Sequence, residues 1–350
     1  MNKRILQIAI TLVLSALAVY VALRGIKFDD VGAALTRVDW LWAGVTLLLI
    51  VGTLVIRAAR WRILLGREIS LRDAFGLIGI GYLISGVLPF RAGDPARAVG
   101  ASFRGPVSAL AALSTVVVER VLDLLLIVLI LVVSLPQVPG LQAYLATGDA
   151  SGDGLLQGAI SLNVLLLLSG LLSFVILLVF VLVAIFPDMT ERLAHRALKA
   201  LGIADIDRWL KPLRSILSGL KALRSPKDGA AIVVWSLALW AVTAAYFMAM
   251  LWACRAFLPS TSFLQSIVAT WSSAFGMVFP ATGGIGSFHF AVREALFWGF
   301  DIPRDLGFTY AVLVHALPYL TGIALGALAL ASWGMSLKRL VKGGQEIDHA

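Results

Sequence analysis

The chain has 350 residues, of which 60 % are apolar and 14 % charged, and it carries a net charge of +9. A mean hydropathy of +0.93 excludes an ordinary soluble domain and indicates a polytopic membrane protein. The basic excess sits in loops between apolar runs, which is the cytoplasmic-loop bias of membrane proteins and no sign of nucleic-acid binding. Cys254 is the only cysteine, so an intrachain disulfide and a cysteine-based metal cage are both excluded.

In chain order, six stretches are long and apolar enough for a crossing of about 20 residues: 5–23, 40–57, 107–135, 162–186, 229–253 and 306–334. The first is too long for a signal-peptide core of about 7–15 residues and is expected to be an uncleaved span. Two further regions, 73–103 and 262–300, are apolar but broken by Gly, Pro and charge.

Loop charge orients the spans. Residues 57–72 hold five Arg against one acid, and residues 187–227 hold nine Lys or Arg against four acids, so both are expected in the cytoplasm. Residues 136–161 contain Asp149 and Asp153 and no basic residue, and are expected outside. Both termini, with Lys3 and Arg4 at one end and Lys338, Arg339 and Lys342 at the other, are expected inside. Region 73–103 then begins and ends inside, and region 262–300 begins and ends outside.

The expected fold is therefore all-α and polytopic, with six spanning helices and two re-entrant hairpins arranged as an inverted-topology repeat. One membrane domain covers residues 1–337, with inverted halves at 1–135 and 162–334. The acidic loop 136–161 separates the halves, a cytoplasmic amphipathic segment occupies 188–227, and a polar tail covers 338–350. Pro89 and Gly93 share the spacing of Pro280 and Gly284, a faint echo of the repeat.

Within the cytoplasmic segment, Ile206, Trp209, Leu210, Leu213, Ile216, Leu217 and Leu220 recur at helical spacing among Arg208, Lys211, Arg214 and Lys221. This basic amphipathic helix suits an anionic leaflet, and it suits equally a connector packed on other cytoplasmic loops.

The charges inside the apolar regions carry the chemistry. Glu119, Arg120 and Asp123 fall in one arc of a helix near mid-membrane, where each charge costs at least about 2.5–3.5 kcal/mol without compensation. The inner hairpin LPFRAGDPARA, residues 88–98, adds Arg91, Asp94 and Arg97. Two readings stand: an ion-pair network pinning helices together, or a site for an anion. Arg60, Arg62 and Arg104 at the cytoplasmic mouth tip the region positive and favour a phosphorylated head group.

In the outer hairpin, Gly283, Gly284 and Gly286 give a tight turn that allows close backbone approach, without the Gly-Lys-Ser/Thr of a P-loop. His289 and His315 are either satisfied core histidines or groups that relay protons or bind a head group. Arg293 and Glu294 are expected to pair with each other at the hairpin's outer end.

RWRILL at 60–65, LPFRAGDPARA at 88–98, ERVLD at 119–123 and FPATGGIG at 279–286, in this order, resemble the transmembrane region of lysylphosphatidylglycerol synthases, the flippase-like domain family. The resemblance covers most of the chain. It implies a lipid-handling protein of the cytoplasmic membrane, in a family whose members translocate aminoacylated phosphatidylglycerol or are linked to polyprenyl-phosphate or hopanoid pathways. Synthases of the family carry a soluble aminoacyl-transferase domain after the membrane part. This chain ends at Ala350, so that activity is not expected. Thr282 stands where many relatives have Pro, His289 where they have Glu, and His315 where they have Arg, which puts the head group or coupling ion in question.

The expected function is a flippase for a phosphate-bearing lipid such as a phospholipid, an aminoacylated phospholipid or a polyprenyl-phosphate-linked lipid. No enzymatic step, cofactor or metal is expected. The substrate-binding set is Arg91, Asp94, Arg97, Glu119, Arg120, Asp123, Gly283, Gly284, Gly286, His289 and His315. A membrane-embedded enzyme acting on a lipid phosphate and a non-transporting accessory subunit are the alternatives. The partners open to it, besides the lipid, are a second copy of the chain and lipid-biosynthesis proteins.

Overall fold

The computed structural model describes residues 17, 19–24, 26–87, 92–147, 162–203, 205–278 and 282–334, all of them helix or short connection with no strand. The first expected span at 5–23 lies mostly outside the described residues. So do Pro89, Arg91 and Pro280, the centre of the acidic loop, and the tail at 338–350.

The helices are α1 (Phe28–Leu35), α2 (Trp40–Leu64), α3 (Leu71–Val87), α4 (Gly93–Ser102), α5 (Ala109–Ser134), α6 (Pro139–Thr147), α7 (Leu162–Ile185), α8 (Pro187–Ala200), α9 (Ile206–Gly219), α10 (Pro226–Ala253), α11 (Phe263–Gly276), α12 (Ser287–Phe300) and α13 (Arg304–Trp333). Several starts are chemically marked. Asp39 accepts the amide protons of Leu41 and Trp42 at the head of α2, and Ser108 accepts that of Ala111 at the head of α5. Ser225 caps α10 just before Pro226, and Ser262 with Gln265 forms a capping box on α11. Asp301, at φ 53°, ends α12 in the left-handed conformation, and α13 restarts after Pro303.

Among the described residues, α2, α10 and α13 are long and apolar enough to cross a membrane. A bent pair, Gly170–Ile185 with Pro187–Ala200, meets at 101° and makes a fourth crossing if taken as one span. The 26-residue α5 is long enough as well, but it carries Glu119, Arg120 and Asp123. Large apolar side chains stand exposed along the outer faces, including Leu48, Leu129, Leu171, Leu172, Val234, Leu237 and Leu328, as a surface solvated by lipid requires. The protein is a multi-pass membrane protein.

Both interrupted regions are helix pairs. In the inner one, α3 packs on α4, and in the outer one, α11 packs on α12. Glycine permits both contacts: a Cβ on Gly93 would meet the Gly81 carbonyl at 1.8 Å, and one on Gly276 would meet the Ser287 carbonyl at 2.7 Å. Helix α2 packs along α10, α2 on α3, α10 on α11, α4 on α5, and α12 on α13. Crosswise, α13 packs on α3 and α5 on α11.

Three elements depart from the expected bounds. The second span continues as α2 to Leu64, through the Arg-rich segment taken for a loop, because that segment is buried against α5. The loop after α5 contains α6, which packs on α12 where Tyr144 stacks on Trp298 at 4.7 Å. The amphipathic segment is α9, whose Leu210 and Leu217 are buried and whose Ser215 hydrogen-bonds Ser108 at 2.8 Å, while Trp209 remains 60 % exposed.

Candidate functional site

Three helices bring charge to one point, and a fourth adds a hydroxyl. From α2 come Arg57 and Arg60, three residues apart and so on one face; from α4 come Asp94 and Arg97; from α5 come Glu119, Arg120 and Asp123; and α10 adds the Ser236 hydroxyl. Arg60 is fully buried and donates to both Asp123 oxygens, at 2.7 and 3.3 Å, and to Ser236 at 3.1 Å. Its other charge partner is Glu119 at 3.5 Å. Arg97 donates to Glu119 at 2.5 Å and to Asp94 at 3.2 Å, and its guanidinium lies 4.7 Å from the centre of the Trp61 ring. Trp61 is held in turn by its indole N–H to Thr115 at 3.0 Å.

This inner layer is closed, since Arg60, Arg97 and Glu119 are buried and each is bound by more than one partner. The outer layer is open. Arg57 reaches Asp123 at 3.6 Å, and Arg120 reaches Asp94 at 3.4 Å and Asp123 at 3.7 Å. These are charge contacts longer than a good hydrogen bond. Polar atoms are buried without a hydrogen-bond partner among the described residues in both layers, Arg60 Nε and Glu119 Oε1 in the inner one and the Nε atoms of Arg57 and Arg120 in the outer; what sets the outer layer apart is that 18 % and 36 % of its two arginine side chains is exposed. Tyr82 of α3 and Tyr246 of α10 stand beside Arg57. Among the described residues the cluster counts four guanidiniums against three carboxylates, so it holds one positive charge in excess.

The site therefore differs from its sequence-based outline. Arg60, expected at the cytoplasmic mouth with Arg62 and Arg104, is at the centre of the cluster, because α2 runs on past residue 57 and turns this side chain toward α5. Arg62 donates to the Ile69 carbonyl, and Arg104 pairs with Asp73 over the Trp333 ring, so neither joins the cluster. Arg91 lies outside the described residues. Arg57 was missed, although its three-residue spacing from Arg60, matched to the one-turn spacing of Glu119 and Asp123, signals the pairing.

The second group of expected residues forms a separate site. In the outer turn, Gly283, Gly284 and Gly286 all have positive φ, at 59°, 71° and 90°. The Gly286 amide donates to His289 Nδ1 at 3.2 Å, and His289 Nε2 lies 3.3 Å from His315 Nδ1. Phe288 stacks on His315 at 4.3 Å. Arg293 and Glu294 pair as expected, at 2.7 Å, and Arg304 joins them.

The chain's residues 5–326 match the family model described as the lysylphosphatidylglycerol synthase TM region. The chain belongs to this family. No curated protein and no solved structure matches it. In this lysylphosphatidylglycerol synthase TM region, the stretches RWRILL, GDPARA and ERVLD supply six of the seven charged cluster members, and Arg57 precedes the first of them by one turn. GGIG forms the outer turn beside the histidine pair. The family places the chain among membrane proteins with a lipid-related function.

Proposed function

We propose that the protein is a flippase-like transporter that moves a phosphate-bearing lipid between the leaflets of the cytoplasmic membrane without chemical modification. The observation that carries this reading is the excess positive charge at Arg57 and Arg120, partly exposed and held by long charge contacts, seated on a buried ion-pair layer inside a membrane protein. A planar guanidinium with free donor capacity suits a phosphate oxygen, and a network built only to pin helices has no use for an uncompensated cation. In this reading Arg60, Arg97, Glu119 and Asp123 hold the site, and Arg57 and Arg120 bind the head group, with Asp94 meeting any cationic part of it.

The packing pattern supports an inverted repeat. Exchange of α2, α3, α4 and α5 for α10, α11, α12 and α13 turns each contact of the first half into one of the second: α2 on α3 becomes α10 on α11, and α13 on α3 becomes α5 on α11. Such repeats place a substrate where the broken elements meet. In the orientation proposed, the inner hairpin opens to the cytoplasm, the outer hairpin opens to the opposite side, and both termini are cytoplasmic. His289 is paired with His315, and Asp94 is held by Arg97 and Arg120, an arrangement that favours transport over a lipid-phosphate enzyme using those two residues.

The test is translocation of a fluorescent anionic phospholipid in proteoliposomes, read by chemical quenching of the outer leaflet. Wild-type protein is expected to move the lipid and Arg57→Gln to slow it by about tenfold or more, the loss of one charge-assisted hydrogen bond of roughly 1.5–3 kcal/mol. Equal rates in the two proteins would remove Arg57 from the site. A new lipid species in the mass spectrum would favour the enzyme reading instead.

A further inference from the structure

We propose that His289 and His315 form a proton-binding site that locks the outer turn and couples lipid movement to protons; this rests on the transport reading above. The hydrogen bonds fix the tautomers. Because His289 Nδ1 accepts the Gly286 amide proton, its own proton sits on Nε2 and is donated to His315 Nδ1. His315, whose Nδ1 is the acceptor, carries its own proton on Nε2. The two neutral rings thus form a chain of hydrogen bonds from Gly286 of the turn through His289 to His315 of α13.

A proton added to either ring breaks this chain. Protonated His289 has no acceptor for the Gly286 amide, and protonated His315 has no acceptor for His289. The chain of bonds from the turn through His289 to α13 is then interrupted, beside the point where a Cβ on Gly283 would lie 2.8 Å from the Tyr319 ring. Tyr319 donates to the Gly86 carbonyl at 2.9 Å, near the end of the first arm of the inner hairpin. One helix, α13, therefore connects the histidine pair to both hairpins.

The surroundings of the pair are aromatic. Phe288, Phe308 and Tyr319 are the rings around it. The charged groups nearby are engaged elsewhere. On α12, Arg293 donates to the Ala22 and Arg24 carbonyls and pairs with Glu294, which Arg304 of α13 also binds. Helix α11 carries no titratable side chain. Tyr82 of α3 lies against Gly322, Tyr144 of α6 on Trp298, and Tyr246 of α10, with Cys254 just after that helix, toward Tyr310. Arg57 of α2 is in the arginine cluster, and Asp29 and Asp30 of α1 are exposed.

The experiment measures lipid translocation across about pH 5–8, where histidine changes charge, for wild-type protein, His289→Asn and His315→Gln. Asn is chosen because its carbonyl can replace Nδ1 as acceptor for Gly286. The wild-type rate is expected to change by about tenfold over this range and the variants' rates to be flat. Transport by both variants with the wild-type pH profile would overturn the proton site and leave the transport reading intact. If wild-type protein moves no lipid at any pH, the transport reading fails on its own. Ring-nitrogen NMR of labelled histidine then decides the site: a proton entering the pair between about pH 8 and 4 supports it, and none entering overturns it.

Discussion

Arg60 shows how a buried charge can be required for stability without adding to it. Its guanidinium has left water completely, and its contacts with Asp123, Glu119 and Ser236 offset that cost. Removing it leaves two buried carboxylates short of a partner. Arg60→Met is expected to destabilise the fold by about 3–5 kcal/mol, seen as a lower melting temperature in detergent. Arg57, on the same helix face but partly exposed and weakly bonded, is expected to behave oppositely: Arg57→Gln should lower transport while leaving the melting temperature nearly unchanged. A comparable loss of stability in both variants would contradict the division into a closed and an open layer.

Helix crossings in this protein rest on missing side chains. Helices α3 and α13 meet at Gly79 and Gly326, where a Cβ on Gly79 would fall 2.9 Å from the Gly326 amide nitrogen, and one on Gly326 would fall 2.3 Å from the Gly79 carbonyl. A Cβ on Gly322 would in the same way fall 2.7 Å from Tyr82 Cβ. Gly326→Leu is therefore expected to separate the helices at a cost of about 1–3 kcal/mol or more, with reduced yield of folded protein in size-exclusion chromatography. Gly44, with open space around the position of an added Cβ, is the control, and Gly44→Leu should have little effect. Glycine spacing was readable in the sequence, but the partner of each glycine was not, since Gly79 and Gly326 are brought together only by the fold.

At the scale of the whole molecule, the orientation proposed above can be checked by labelling. Cys254 is the single cysteine and is buried, so Cys254→Ala gives a background for engineered cysteines. Thr147→Cys, at the end of α6, is expected to react with an impermeant thiol reagent from outside the cell. Lys199→Cys, in α8, is expected to react only after the membrane is opened. Labelling of both from one side would refute the orientation proposed here. In the orientation proposed, α6 lies on the same side as α12, the hairpin arm against which it packs.

Composition, apolar run lengths and the motif set were sufficient for the membrane class, the family and the positions of both interrupted regions, because those depend on solvent preference and local backbone chemistry along the chain. The one-arc placement of Glu119, Arg120 and Asp123 was also legible, since helical periodicity alone decides it. Tertiary structure decided which arginines meet those carboxylates. Arg60 lay in a segment whose charge read as a loop, and only its burial against α5 makes it the centre of the cluster; Arg57 follows from the same extension of α2. The contact between His289 and His315, 26 residues apart on different helices, is likewise a product of packing. A sequence records each side chain's chemistry and its local period, whereas partners from distant helices are chosen by how those helices cross.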